Sequence, residues 1–187
     1  FVITDVTGCG GALSGTTYLT DTLTADCAVS AEFSAFYRKP NGVTIACPGA
    51  SVGESGVVDG VTYTKRDKAG ITAANAATSC ISGVTDLAGV FKNADTFNGD
   101  IGHWDVSLVT TMFELFSGAS VFNQDIGAWE TGGVINMDFM FRNAETFNQD
   151  LSNWCVEKIK TTPFGFASGV DGWISAYRPL FGQPCPP

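Results

Sequence analysis

Histidine is almost missing from this chain: His103 is the only one in 187 residues. Charge is sparse too, with Asp, Glu, Lys and Arg together at 16%. No cysteine falls in a C-x-x-C pair, so a structural zinc site lacks its ligands. No apolar run approaches the ~20 residues that cross a bilayer as a helix, so no transmembrane segment is expected. The G-x-x-x-x-G-K-[ST] loop is absent, which leaves nucleotide-dependent catalysis without motif support. Asn-x-Ser/Thr is absent as well, so ordinary N-glycosylation is not expected. Ten basic residues against 19 acidic ones give a net charge of −9. Such a surface repels phosphate backbones, and nucleic acid is excluded as an expected partner.

What is present is apolar and rich in turns. Hydrophobic residues make up 44%, and there are 22 glycines. A chain of this length buries roughly 70% of its unfolded surface, which is enough for one real core. The six cysteines are Cys9, Cys27, Cys47, Cys80, Cys155 and Cys185. An even count at wide spacing reads as three disulfides made in an oxidising compartment. Spacing alone permits about 15 pairings; the sequential set Cys9–Cys27, Cys47–Cys80 and Cys155–Cys185 is the expectation. A start at Phe1 in place of Met reads as a mature chain that has lost a leader. The expected location is secreted, extracellular or at the cell surface.

From Asp86 onward the sequence repeats every 25 residues. Phe91, Phe116, Phe141 and Phe166 fall in one column, and Phe97, Phe122 and Phe147 in another. Asn98, Asn123 and Asn148 follow, then Asp100, Asp125 and Asp150. Trp104, Trp129 and Trp154 form the next column, and Val109, Val134 and Ile159 close the units. The buried core is expected from Phe91, Phe97, Trp104, Phe116, Phe122, Trp129, Phe141, Phe147 and Trp154. Met112, Leu115, Phe116 and Ala119 have helical spacing and predict a short helix in each unit. Ile126–Trp129 and Val134-Ile135 read as short extended pieces that pair between units. One unit cannot bury enough apolar surface to offset the ordering of its own chain, so the units must stack. The expected fold is an α/β solenoid of about three coils.

The phrases FNGDIGHWDVSLVTTMFELFSGASVFNQDIGAW and MFRNAETFNQDLSNWCV resemble the BspA-type leucine-rich-repeat surface proteins, a 25-residue repeat family. The likeness covers about residues 43–187. It implies a leucine-rich-repeat-like coil and extracellular recognition or structure, and it implies no activity. Two departures stand out: Glu130-Thr-Gly-Gly133 replaces the usual Asp-Val-Ser-Asn, and Thr162-Pro163 falls on the Met column.

The expected divisions are 1–42, a β-rich N-terminal segment; 43–85, an N-terminal cap; 86–160, the repeats; and 161–187, a C-terminal cap tied by Cys155–Cys185. Asp59-Gly60 between Val57-Val58 and Val61–Thr64 predicts a hairpin.

Three groups of residues invite chemistry. The stacked Asp100, Asp125 and Asp150 could hold calcium, but Asx side chains in every coil read more simply as turn caps. No metal or cofactor is therefore expected, with calcium the alternative. His103 varies between units (Ala128, Asn153) and is expected on the surface. Trp104, Trp129 and Trp154 suit a sugar-stacking stripe, or core packing, which their regularity favours. Positions that change while the scaffold repeats offer a recognition surface: Lys92, Asp95, Asp105, Glu114, Glu130, Asp138, Arg142 and Glu145. The expected function is non-catalytic recognition of a protein or glycan at a cell surface. The alternative is a structural subunit of a fibre, sheath or appendage, associating with copies of itself or other subunits. A carbohydrate-active enzyme is third; it needs two converging carboxylates, and the sequence singles out none.

Overall fold

The computed structural model describes residues 2–7, 12–14, 17–19 and 30–186. Strand β1 (Val2–Thr7) pairs antiparallel with β4 (Ser30–Ser34), and β2 (Ala12–Ser14) with β3 (Thr17–Leu19). Strands β5 (Tyr37–Arg38) and β6 (Ile45–Ala46) form a third short ribbon. The hairpin expected at Asp59-Gly60 joins β7 (Ser55–Val58) to β8 (Val61–Lys65). Both turn residues have positive φ, 50° and 80°, the mirror-image turn that suits the right-handed strand twist. Strand β9 (Ser79–Cys80) then pairs in parallel with β8 and starts the stack.

The expected α/β solenoid is corrected here. Among the described residues no α-helix forms; the only helical pieces are 3₁₀ turns of three residues, Lys68–Gly70, Ala76–Thr78 and Ser175–Tyr177. The chain is turns and short β-strands. The helix predicted over 111–119 fails for a reason visible in its hydrogen bonds. Leu115, Ser117 and Ala119 donate three residues back, to Met112, Glu114 and Phe116. The residues between them, Glu114, Phe116 and Gly118, donate to Asp138, Met140 and Arg142 of the following unit. An α-helix would close every one of these bonds internally. Positive φ at Glu114 (54°) and Gly118 (77°) aims alternate N–H groups along the stack instead. Three-residue turns bury side chains at nearly helical intervals, which is why Met112, Leu115, Phe116 and Ala119 mimic a helix.

The repeated aromatics lie above one another. Trp104 and Trp129 have ring centroids 6.3 Å apart at 1°, and Trp129 and Trp154 6.0 Å apart at 8°. Phe91–Phe116–Phe141 step at 5.8 and 5.5 Å, and Phe97–Phe122–Phe147 at 5.7 and 5.8 Å. Within each unit the two Phe columns also stack, at 3.9 to 4.2 Å. All nine rings are buried. Each indole N–H donates to a carbonyl one coil earlier: Trp104 to Ala76, Trp129 to Ile101, Trp154 to Ile126, at 3.0 to 3.1 Å. The tryptophans therefore both fill the core and tie consecutive coils by hydrogen bonds.

The repeat without insertion is also corrected. Beyond Ile159 the chain carries one extra residue. Phe166 donates to Pro163 as Met140 does to Met137, and Val170 to Ala167 as Ala144 does to Phe141. Ala167, not Phe166, thus occupies the Phe141 column, and Trp173 follows Phe147. The parallel stack ends there: Phe166 and Trp173 meet Phe141 edge-on at 88° and 66°.

Steric room is set coil by coil. A Cβ on Gly118 would sit 2.7 Å from Asn93 Oδ1, at a position where φ is already +77°. The column therefore alternates Asn93, Gly118, Asn143, Gly169, each glycine clearing space for an asparagine. Two disulfides, Cys47–Cys80 and Cys155–Cys185, tie the two ends of the stack. The expected Cys9–Cys27 bond lies outside the described residues. No described helix is long and apolar enough to cross a membrane.

Candidate recognition surface

The eight variable positions do not share one face. Asp105 is buried, which corrects its place among surface residues. Its carboxylate accepts from Ser82 Oγ at 2.6 Å, Ser107 Oγ at 2.7 Å and Lys39 Nζ at 2.9 Å. Burial pushes this carboxyl up, but the bonds from Ser82, Lys39 and Ser107 outweigh it and hold it below its ordinary value. Lys39 also reaches Glu130 at 3.0 Å. Burial alone would lower the ammonium, yet its two carboxylate partners raise it above the usual lysine value. This cluster pins the β5–β6 ribbon onto two coils. It is a clamp.

His103 is also buried, against the expectation of exposure. Its Nε2 lies 3.0 Å from the Ser79 carbonyl, so it must carry the proton there. Burial holds its pKa below the ordinary value, with the Ser79 bond only partly opposing. The sequence hid this because the counterparts Ala128 and Asn153 are exposed, whereas His103 is covered by β9 and Tyr63.

Asp100, Asp125 and Asp150 are exposed, and each accepts a backbone N–H two residues on, from Gly102, Gly127 and Ser152, at 2.9 to 3.0 Å. For Asp150 the Ser152 side chain and N–H lower the pKa. The asparagines form a second ladder: Asn98 Oδ1 accepts from Asn123 N, Asn123 from Asn148 N, and Asn148 from Ile174 N, at 2.9 to 3.1 Å. Both columns spend their oxygens on backbone.

The remaining variable residues surround a feature that the repeat columns did not reveal. Phe113, Phe139 and Phe164 climb one edge of the stack, ring against ring, at 6.1 and 5.1 Å and nearly perpendicular. Phe113 and Phe139 are half-buried, and Phe164 is 74% exposed. Arg142 lies 5.5 Å over the Phe139 ring. Asp138 accepts from Phe164 N at 2.7 Å, and Lys92 pairs with Glu114 at 2.7 Å. Asp95 and Glu145 are exposed, and the Asp95 carbonyl accepts from Ser120 Oγ at 3.2 Å. A groove of about 700 Å³ adjoins the staircase, lined among others by Ile135, Lys158, Lys160 and Phe164.

Phe139 has a φ of +58°, a conformation that costs a bulky L-residue about 1–2 kcal/mol. The matching positions in the first and last coils are Gly89 and Gly165. Gly165 is required where it stands, since a Cβ would come within 2.5 Å of the Phe139 ring. The chain thus places a strained, half-exposed ring where glycine would be easier, and clears space for it. Phe113 and Phe139 stand in adjacent columns, and the extra residue after Ile159 returns Phe164 to the Phe113 column, so the 25-residue period does not show the three as one row.

A protein-family model matches residues 66–171, more than half of the chain; its description is Mycoplasma protein of unknown function, DUF285. No curated protein and no solved structure matches the chain.

Proposed function

Because the chain belongs to the DUF285 family, whose description assigns no activity, we propose that it is a non-catalytic, secreted surface protein that recognises a partner through the Phe113–Phe139–Phe164 staircase. The strained ring of Phe139, held half-exposed beside a 74% exposed Phe164, carries this reading. Exposed aromatics with an arginine beside them are the composition that marks binding patches. A protein surface suits the staircase best, since its apolar rings are rimmed by the charges of Lys92, Glu114, Asp138 and Arg142; a glycan stacking on the same rings is the alternative. The two disulfides favour an oxidising compartment. The repeat phrases quoted above favour a functional likeness to the BspA-type surface proteins.

Two variants test it. Phe164→Ala removes an exposed ring and should leave the unfolding free energy in urea within about 0.5 kcal/mol of wild type, while cutting partner binding at least about tenfold. Phe139→Gly relieves the positive φ but loses two ring contacts and the Arg142 contact, so its stability should stay within about 1 kcal/mol. Its binding should fall with that of Phe164→Ala. Candidate partners come from pull-downs on immobilised wild-type protein and on a glycan array. Partners captured equally by both variants would refute the staircase.

A further inference from the structure

The stack has a polarity that its two ends leave open. Gly89, Phe91 and Asn93 donate to the carbonyls of Phe113, Leu115 and Ser117, at 2.7 to 3.0 Å. Glu114, Phe116 and Gly118 donate likewise to Asp138, Met140 and Arg142, and Phe139, Phe141 and Asn143 to Phe164, Phe166 and Ser168. Every one of these nine N–H groups points toward the later coil. At the early rim this leaves the carbonyls of Ala88, Val90 and Lys92, the counterparts of Phe113, Leu115 and Ser117. At the late rim it leaves the N–H groups of Gly165, Ala167 and Gly169. Among the described residues none of the six has a partner.

Both rims already hold the conformation used inside the stack. Gly89 and Asn93 have φ of 68° and 58°, and Gly165 and Gly169 have φ of 62° and 80°. The apolar ends, by contrast, are covered: Ile71 and Ala76 are buried in the core at one end, and Phe181 packs edge-on against Phe166 at the other. Only the hydrogen-bonding edge is left unfinished. Beside the late rim lies a pocket of about 400 Å³ lined by Gly165, Ala167, Ser168 and Arg178. The Arg178 Nε is buried without an acceptor. A row of unpaired N–H groups at one end and a matching row of carbonyls at the other, at the same spacing, are complementary to each other.

We propose that copies of this chain associate head to tail, the late rim of one seating on the early rim of the next and repeating the junction found three times inside the stack. Such a contact uses different surfaces on the two partners and does not close, so it generates a filament. It is the edge pairing that sheet proteins otherwise block. This inference goes beyond the recognition reading and does not rest on it.

Sedimentation velocity of the full chain over a wide concentration range tests it, with two variants. Ala167→Pro deletes the central donor, and Ser168→Trp adds bulk at an exposed rim position while keeping every backbone bond. Near-UV circular dichroism and the melting temperature report folding in each. Wild type should grow by successive addition of copies, without stopping at a dimer. Ser168→Trp, with a wild-type melt, should need at least about tenfold more protein to associate, as should Ala167→Pro if it folds. A wild type that stays monomeric at millimolar concentration overturns the proposal. So does a closed dimer, or association unchanged in Ser168→Trp. Binding of inorganic phosphate at Arg178 with no self-association would overturn it in favour of an anion site.

Discussion

Trp129→Ala should lose about 3–5 kcal/mol of stability, the largest effect of any single substitution in this chain. Trp129 is the middle rung of the indole stack, 3% exposed, between Trp104 and Trp154 and against Phe116. Its removal opens a cavity that no single coil can collapse, because the rings above and below are fixed by their own carbonyl bonds. It also removes one of the two bonds that the Ile101 carbonyl accepts, leaving the one from the Trp104 N–H. Trp129→Phe separates the two contributions: it keeps a stacked ring but gives up the indole bond, and should cost about 0.5–1.5 kcal/mol. Urea denaturation followed by far-UV circular dichroism gives both values. Against a typical total of about 5–15 kcal/mol, the alanine variant would stand near the edge of folding. A loss under about 1 kcal/mol would mean that the stack contributes shape but little stability.

The double variant Cys47→Ala/Cys80→Ala should lose about 3–4 kcal/mol, the chain-entropy value for a bond spanning 33 residues. This bond joins the segment after β6 to β9, and both sulfurs are fully buried in a separate small core with Phe36, Ile45, Val58 and Tyr63. That core is too small to hold the N-terminal ribbon unaided, and the Lys39–Asp105–Glu130 clamp and the Ile45 N–H bond to the His103 carbonyl are further ties to the stack. For a chain of this length the loss corresponds to a melting temperature about 6–16 °C lower. A thermal melt of the variant checks it. Wild type melted in reductant should fall at least as far, since Cys155–Cys185 is opened too. A shift under about 2 °C would assign the fastening of this segment to the clamp and the Ile45 bridge.

Much of the architecture was legible in the chain. Identical residues 25 apart must occupy equivalent places, so Phe91, Phe97 and Trp104 and their counterparts could be placed in one core from spacing alone. The Asp59-Gly60 hairpin was legible too, while the pairings Cys47–Cys80 and Cys155–Cys185 match the expected set although spacing alone does not select it. The helix was not, because three-residue turns and α-helices bury side chains at similar intervals. What separates them is positive φ at Glu114 and Phe139, and neither residue type announces it. The extra residue after Ile159 was concealed by a coincidence, since Phe166 restores an aromatic at the expected 25-residue interval while the backbone has moved on by one. Asp105 and His103 were misplaced because the sequence shows how a position varies but not that β5, β6 and β9 fold over the first coil and cover it. The staircase escaped for a related reason: its rings sit in adjacent columns and meet only once the coils are stacked.

Hydrogen exchange read residue by residue on wild type and Trp129→Ala reaches the central claim most directly: the coils share one spine that none maintains alone. The amides of Phe91, Phe116 and Phe141 each donate across a different junction, so each reports on its own pair of coils. If the spine is shared, removing the one indole lowers protection at all three by a similar amount. If the loss stays within the coil that carries position 129 and leaves Phe91 protected as in wild type, the coils are independent and the account is wrong.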